Sequence, residues 1–197
     1  MRYLKNTFIY VIIVSALFST AASAQHSPTE IKSLLTERDQ EIKTLLGPEG
    51  TEYTDQQREE LKEIINGVID FDAMAKTALE ETYDTISADT RTEFVDLFST
   101  IIRDQSLTKL EIYRAKITYN DISIDGDKAL VKTTAELDEV RTPVDYRMRY
   151  DGEEWVITDM SIDDVYTAES YNNQFQRIIA KRGFDALMKS LRKRANR

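Results

Sequence analysis

The chain contains no cysteine and a single histidine, His26, among its 197 residues. Without a thiol there is no disulfide, no thiolate nucleophile and no cysteine-ligated zinc, so an exported protein of this length must hold its fold by packing alone. His26 follows the expected processing site by two residues, in a terminus expected to fray, which leaves no imidazole placed for acid/base work. Serine chemistry lacks a G-x-S-x-G elbow, and nucleotide binding lacks a glycine-rich phosphate loop. Basic residues are outnumbered, 26 against 35 acidic ones, for a net charge of −9. That balance excludes nucleic acid as the expected partner and disfavours permanent adsorption on anionic lipid. The locally basic end, Arg192, Lys193, Arg194 and Arg197, reads as a solvated helix terminus favoured by the helix dipole. There is no internal repeat and no low-complexity tract. The longest apolar run falls short of the roughly 18 to 20 residues needed to span a bilayer.

That run, Phe8 to Phe18, follows Arg2 and Lys5 and precedes Ala22-Ser23-Ala24. The order of charge, apolar stretch and A-x-A site is that of a secretory signal peptide, residues 1–24, cleaved between Ala24 and Gln25. No cysteine follows the small residues, so lipoprotein attachment has no acceptor. The remainder, residues 25–197, is long enough for one domain with a sizeable core and carries 24 basic against 35 acidic side chains.

Ser27, Pro28 and Glu30 form a capping box with proline at the first helical position. The helix they start carries Ile31, Leu34, Leu35, Ile42, Leu45 and Leu46 on one side and stops at Gly47-Pro48. Thr54 and Gln57 open a second helix, with Leu61, Ile64, Ile65, Val68 and Ile69 at helical spacing. A shorter helix over Phe71–Ile86 has small residues at Ala73, Ala75 and Ala78, and Ser87 caps a long one expected to run to about Tyr113. From Lys116 the period becomes that of strands. Ile117 and Tyr119 change parity with Ile122 and Ile124 around Asn120, which predicts a bulge. Asp125-Gly126 and Asp151-Gly152 are hairpin signals, and Leu130–Leu137 and Val144–Tyr150 lie between them, joined through Arg141–Pro143. Trp155 to Ile162 is a last strand, and helices over 167–195 follow, with a break at Gly183. The fold class is therefore α+β: helices over 27–114, a four-stranded antiparallel sheet over 116–162 and terminal helices, with the helices packed on one face of the sheet.

Two carboxylate groups, Asp121, Asp125 and Asp127, and Asp159, Asp163 and Asp164, have the composition of a metal site, but each sits where Asp serves as a turn or cap residue. A cavity enzyme would use an Asp/Tyr pair drawn from Asp145, Tyr146 and Asp159, and would require a buried carboxyl whose pKa is raised. The features with most chemical content are apolar. Tyr146, Met148 and Tyr150 from the sheet, Phe71, Met74 and Leu79 from the short helix, and Phe94, Phe98 and Ile101 from the long one face the space between the layers. A filled core requires the same stripes, and a stripe alone does not distinguish a core from a cavity.

The frame YNNQFQRIIAKRGFDALMKSLR, with Tyr171, Gln174, Phe175, Ile179, Gly183, Leu187, Leu191 and Arg192, resembles the C-terminal signature of the MlaC family of periplasmic phospholipid-binding proteins, also called the toluene-tolerance auxiliary family. WVITDMSIDDV is similar to that family's last strand and turn. DFDAMAKTAL, with Phe71, Asp72, Met74, Ala75 and Leu79, is a second match, and a helix carrying Phe94, Leu97, Phe98 and Ile101 follows it. Together these span roughly Ile64 to Arg194. The resemblance departs after the DF-x-x-M-A motif, where many relatives carry Leu-Gly and then Trp and this chain has Glu80, Glu81, Thr82 and Tyr83.

The resemblance implies an apolar cavity between sheet and helices that holds the acyl chains of a glycerophospholipid. Lipid-binding residues would be Phe71, Met74, Ala75, Leu79, Phe94, Phe98, Ile101, Ile102, Tyr146, Met148, Tyr150, Ile157, Phe175 and Ile179. The phospholipid would be cargo, with no cofactor, no metal and no catalysis. The protein would act as a periplasmic monomer, the soluble component of an ABC-type lipid transport system that keeps the outer membrane asymmetric. Its partners would be an inner-membrane substrate-binding ring and an outer-membrane lipoprotein complex. Some thirty methylenes in two acyl chains represent on the order of 20 kcal/mol against water, so a carrier must offer comparable shelter yet match the membrane closely enough to release its lipid. The alternatives are a non-catalytic periplasmic adaptor with a filled core and, third, the cavity enzyme.

Overall fold

A computed structural model describes residues 26–108 and 110–196; the expected signal peptide and its Ala24/Gln25 cleavage site lie outside them. The chain runs α1 (Pro28–Leu46), α2 (Asp55–Asn66), α3 (Phe71–Leu79), α4 (Glu81–Thr85), α5 (Ala88–Ser106), a 3₁₀ turn (Leu110–Arg114), β1 (Lys116–Asp125), β2 (Lys128–Leu137), β3 (Val140–Tyr150), β4 (Trp155–Ile162), β5 (Val165–Tyr166), α6 (Thr167–Arg182) and α7 (Phe184–Ala195). Both capping boxes form, Ser27 with Glu30 and Thr54 with Gln57. Asp70 and Ser87 cap α3 and α5.

Helices and antiparallel sheet combine as the α+β reading requires, but the sheet has five strands rather than four, in the order β1-β2-β3-β4-β5. The additional strand is two residues long, too short for alternation to register in a sequence. It folds back on β4 through Asp163-Asp164, both at positive φ, and pairs Ile162 with Val165. The expected bulge is present, with the register of β1 shifting between Tyr119 and Asp121.

The β2–β3 connection differs from expectation. Asp138 and Glu139, at φ 49° and 67°, make a two-residue turn, and Arg141–Pro143 belong to β3. Proline is tolerated there for a local reason. The Pro143 carbonyl accepts from Asp163 N–H at 3.0 Å, so that side of the strand faces the point where β4 has ended, and the missing N–H costs no ladder bond.

Two helices also end earlier than their periodicity predicts. The Phe71–Ile86 segment splits at Glu80, which takes φ 49° and ψ −130°. The turn leaves the last carbonyls of α3 open, and α6 closes them: Gln176 Nε2 donates to Leu79 O at 2.9 Å and Asn172 Nδ2 to Ala78 O at 3.4 Å. Glu80→Gly is therefore expected to raise stability by about 1 kcal/mol in a denaturant titration, since glycine adopts that conformation without strain. The long helix stops at Ser106 rather than near Tyr113. Ser106 Oγ donates back to Arg103 O at 2.7 Å, and at the end of the 3₁₀ turn the Arg114 guanidinium donates to the carbonyls of Leu46, Gly47 and Pro48, closing the C-terminus of α1.

Three apolar clusters result. The largest is wholly helical and unites α3, α5, α6 and α7 around Phe94, Phe98, Tyr171 and Phe175. A second packs Ile31 and Leu35 of α1 on the sheet residues Ala129, Val131, Met148, Trp155 and Ile157. A third joins Ile42 and Leu46 to Leu61 and Leu110. The helical group attaches at the β4 edge, where Ile157 N–H donates to Val68 O at 2.7 Å and Asp70 N–H to Ile157 O at 2.9 Å. It also clasps the far face of the sheet through Arg149–Asp70, at 2.6 Å, and Arg147–Glu169. His26 is not frayed: its ring centroid lies 4.1 Å from that of Tyr150 and 5.1 Å from that of Trp155.

Candidate functional site

Strand register decides what faces α1. Ile117 pairs with Ala135, Ala135 with Thr142, and Val144 with Ile162, so these residues form adjacent rows on one face, continued by Tyr146 opposite Met160. At one end of this face Met148, Ala129 and Ile157 pack against Ile31 and Leu35. At the other end the central side chains are small, Ala135 and Thr142, and the cover is sparse. Only Asp39 of α1 and Ile112, Tyr113 and Ala115 of the 3₁₀ turn and its continuation stand over them. The gap left is an open, chiefly apolar cavity of about 560 Å³, floored also by Ile117, Val144 and Met160 and edged by Leu137, Val140 and Ile162.

The polar side chains that line it are Asp39, Tyr113, Thr142 and, at its edge, Asp138, while Tyr119 and Tyr146 lie beside it on the same face. Asp39 accepts from Lys43 Nζ at 2.8 Å, and the same ammonium donates to Ala115 O at 2.7 Å, tying α1 to the start of β1. Tyr119 OH accepts from Thr36 Oγ1 at 3.4 Å. Burial pushes the Tyr113 phenol up to about 12. Tyr146 is raised further by burial and then by the neighbouring Tyr119, Asp39 and Tyr113, so it stays neutral throughout the physiological range. These phenols can donate hydrogen bonds; none is poised to act as a base.

The structure sorts the expected lining residues into two groups. Phe71, Met74, Ala75, Leu79, Phe94, Phe98, Ile101, Ile102, Phe175 and Ile179 come together, but with one another, in the helical cluster. Phe98 is fully buried, with ring centroids 5.7 Å from Phe94 and 5.1 Å from Tyr171. The described cavity lies elsewhere, against the sheet. Tyr146, Met148, Tyr150 and Ile157 do share the cavity-bearing face, with Tyr146 one row inward from the opening and the other three in the filled end. Sequence reasoning passed over Ile112, Ala115, Ala135, Val140, Thr142 and Ile162. The available signal was small residues in strand rows flanked by long ones, and apolar residues beside acidic turns.

The Asp/Tyr arrangement is not assembled. Along β3, Tyr146 points to the cavity face and Asp145 to the other, and Asp159, beside Met160 on β4, also lies on that other face. Asp159 Oδ1 accepts from the N–H groups of Met160 and Ala168, at 2.8 and 2.9 Å, and so caps α6. Its Oδ2 has no hydrogen bond and lies 3.8 Å from Arg147 Nη1. Burial raises its pKa, against the two N–H groups and Arg147, which lower it. A carboxyl raised in the fold contributes most when protonated, and that contribution is lost as pH rises from the ordinary carboxylate range through the raised value. Asp159→Asn keeps the capping oxygen. Its stability relative to the parent should improve as pH rises through that window, as read by paired thermal melts. Among the described residues no group of His, Asp or Glu side chains has metal-binding geometry, and no helix is long and apolar enough to cross a membrane.

A model of the MlaC protein family matches residues 37–193. In solved structures, the chain is similar to a phospholipid-binding protein from Ralstonia solanacearum, in complex with a phospholipid. The two share 20% sequence identity at a TM-score of 0.71, over 87% of this chain and 98% of the other. No curated protein matches the chain in sequence.

Proposed function

Since the chain belongs to the MlaC family, we propose that it is a phospholipid carrier, taking a glycerophospholipid into the cavity between the sheet and α1 and ferrying it through the periplasm between inner- and outer-membrane complexes of a lipid transport system. The observation that carries this reading is the apolar cavity of about 560 Å³ with an opening to solvent. A core that is merely filled, as the adaptor alternative requires, leaves no such space. The similarity to a phospholipid-bound protein supports the same cargo.

The size of the cavity bounds what it holds in this state. At about 30 Å³ for a unit the size of water or a methylene, it accommodates roughly eighteen such units, one acyl chain rather than two. A diacyl lipid therefore requires the sheet and the α1–3₁₀ cover to part further on loading. The headgroup stays at the opening in water, consistent with a lining that includes no cationic side chain. Fluorescent phospholipid moved from donor to acceptor vesicles across a dialysis membrane tests carriage. The reading predicts transfer in proportion to protein concentration, and transfer no faster than in protein-free buffer contradicts it.

A further inference from the structure

The large apolar side chains that stand exposed among the described residues, Ile112, Val140, Ile162 and Val165, are 45% to 64% exposed, and all four lie in one place. Three edge the cavity opening, and the fourth pairs with Ile162 across the short β5. Two turns frame them. Asp138-Glu139 precedes Val140, and Asp163-Asp164 links Ile162 to Val165. These four acidic residues account for four of the five non-glycine residues at positive φ among those described. Tight turns of this kind favour Asn, Asp and Gly, so the three Asp residues fit the backbone and Glu139 alone departs from its preference; what the four share is a carboxylate held at the rim of the opening. None of the four carboxylates has an ion-pair partner among the described residues, and the nearby Arg141 is engaged by Glu136 at 3.0 Å.

We propose that this apolar opening with its acidic frame is a docking surface for a protein partner that presents an apolar mouth flanked by Lys and Arg side chains, so that lipid passes from one mouth to the other without crossing water. The inference rests on the carrier reading and deepens it. Charge complementarity selects the occupant: an anionic bilayer repels four unpaired carboxylates, whereas a basic protein rim is drawn to them and oriented by them. Exposed valines and isoleucines supply the dry contact once the rim is in register.

The test compares delivery of a fluorescent phospholipid from the loaded protein to two acceptors: membrane vesicles of the source bacterium with their proteins in place, and vesicles made from the lipid extracted from those membranes. Delivery to the protein-bearing vesicles is expected to be at least about tenfold faster at low salt, with the advantage falling steeply as salt is raised. The D138N/E139N/D163N/D164N variant keeps residues that tolerate positive φ, and should lose most of that advantage while still taking up lipid. If its melting curve shows misfolding, the D138N/D163N pair serves instead, with a smaller loss expected. Equal delivery to both vesicle types, or an advantage untouched by neutralising the turns, overturns the proposal. A photo-crosslinker at position 165 reports contact independently of cargo. If the protein takes up no lipid yet crosslinks to membrane protein in a salt-sensitive way that the neutralised variant loses, the carrier reading fails and the docking surface stands.

Discussion

Ala135→Trp is expected to strip the protein of its lipid while leaving the fold in place. Ala135 lies on the cavity floor between Ile117 and Thr142, so an indole there projects into empty space rather than into packed atoms. It displaces room for about five methylenes, worth roughly 4 kcal/mol of shelter, which corresponds to a loss of affinity on the order of a hundred- to a thousandfold. Stability should change by no more than about 1 kcal/mol, because the cavity relieves the overpacking that such a change causes in a filled core. Lys132→Trp, on the opposite face of the same strand and exposed, is the matched control and should load normally. Lipid content per protein, measured by extraction, and a urea titration of both variants read the two effects separately.

Phe98→Ala should do the reverse. Phe98 is fully buried in the helical cluster, between Phe94 and Phe175 of the same aromatic group and edge-on to Tyr171. Removing the ring leaves a void that α5 and α6 cannot close without unseating their other contacts, and the cost is about 3 to 5 kcal/mol. That is a large share of the stability of an ordinary domain. The protein that remains folded should load lipid to the same stoichiometry as the parent, because the cavity lies on the sheet and not among these rings. A folded Phe98→Ala protein that has lost its lipid would place the acyl chain among the helices instead.

These two expectations mark where the sequence was legible and where it was not. Capping boxes at Ser27 and Thr54, the bulge at Asn120 and the helix break at Gly183 were readable because each depends on residues close in sequence. So was the α+β order, since the change of hydrophobic period is local. The turn at Asp138-Glu139 was not, because Glu139 occupies a positive-φ position that sequence habit assigns to Gly, Asn or Asp. The β5 strand was missed because two residues carry no period. Helix ends were misjudged where distant partners decide them: α3 stops at Glu80, where Asn172 and Gln176 donate to its last carbonyls, and the chain leaves α5 at Ser106, which brings Arg114 to cap α1.

The site follows the same rule. Aromatic stripes at helical spacing identified the helical core from Phe71 to Phe175, and spacing cannot say whether a stripe meets another stripe or a void. A cavity is a deficit of atoms, set here by the rows Ile117–Ala135–Thr142 and Val144–Ile162 and by how little of α1 covers them. It becomes visible only when strand register places small side chains together. The two sequence features on which the proposed docking surface rests, exposed valines and isoleucines beside paired acidic residues, looked like ordinary strand ends.

The most direct measurement is native mass spectrometry of the processed protein, purified without detergent, followed by organic extraction and identification of what it carries. The account predicts one glycerophospholipid per chain in the parent, its loss in Ala135→Trp and its retention in Lys132→Trp. A parent protein that arrives empty and takes up no lipid from vesicles, or one whose lipid is indifferent to a tryptophan at position 135, would contradict it.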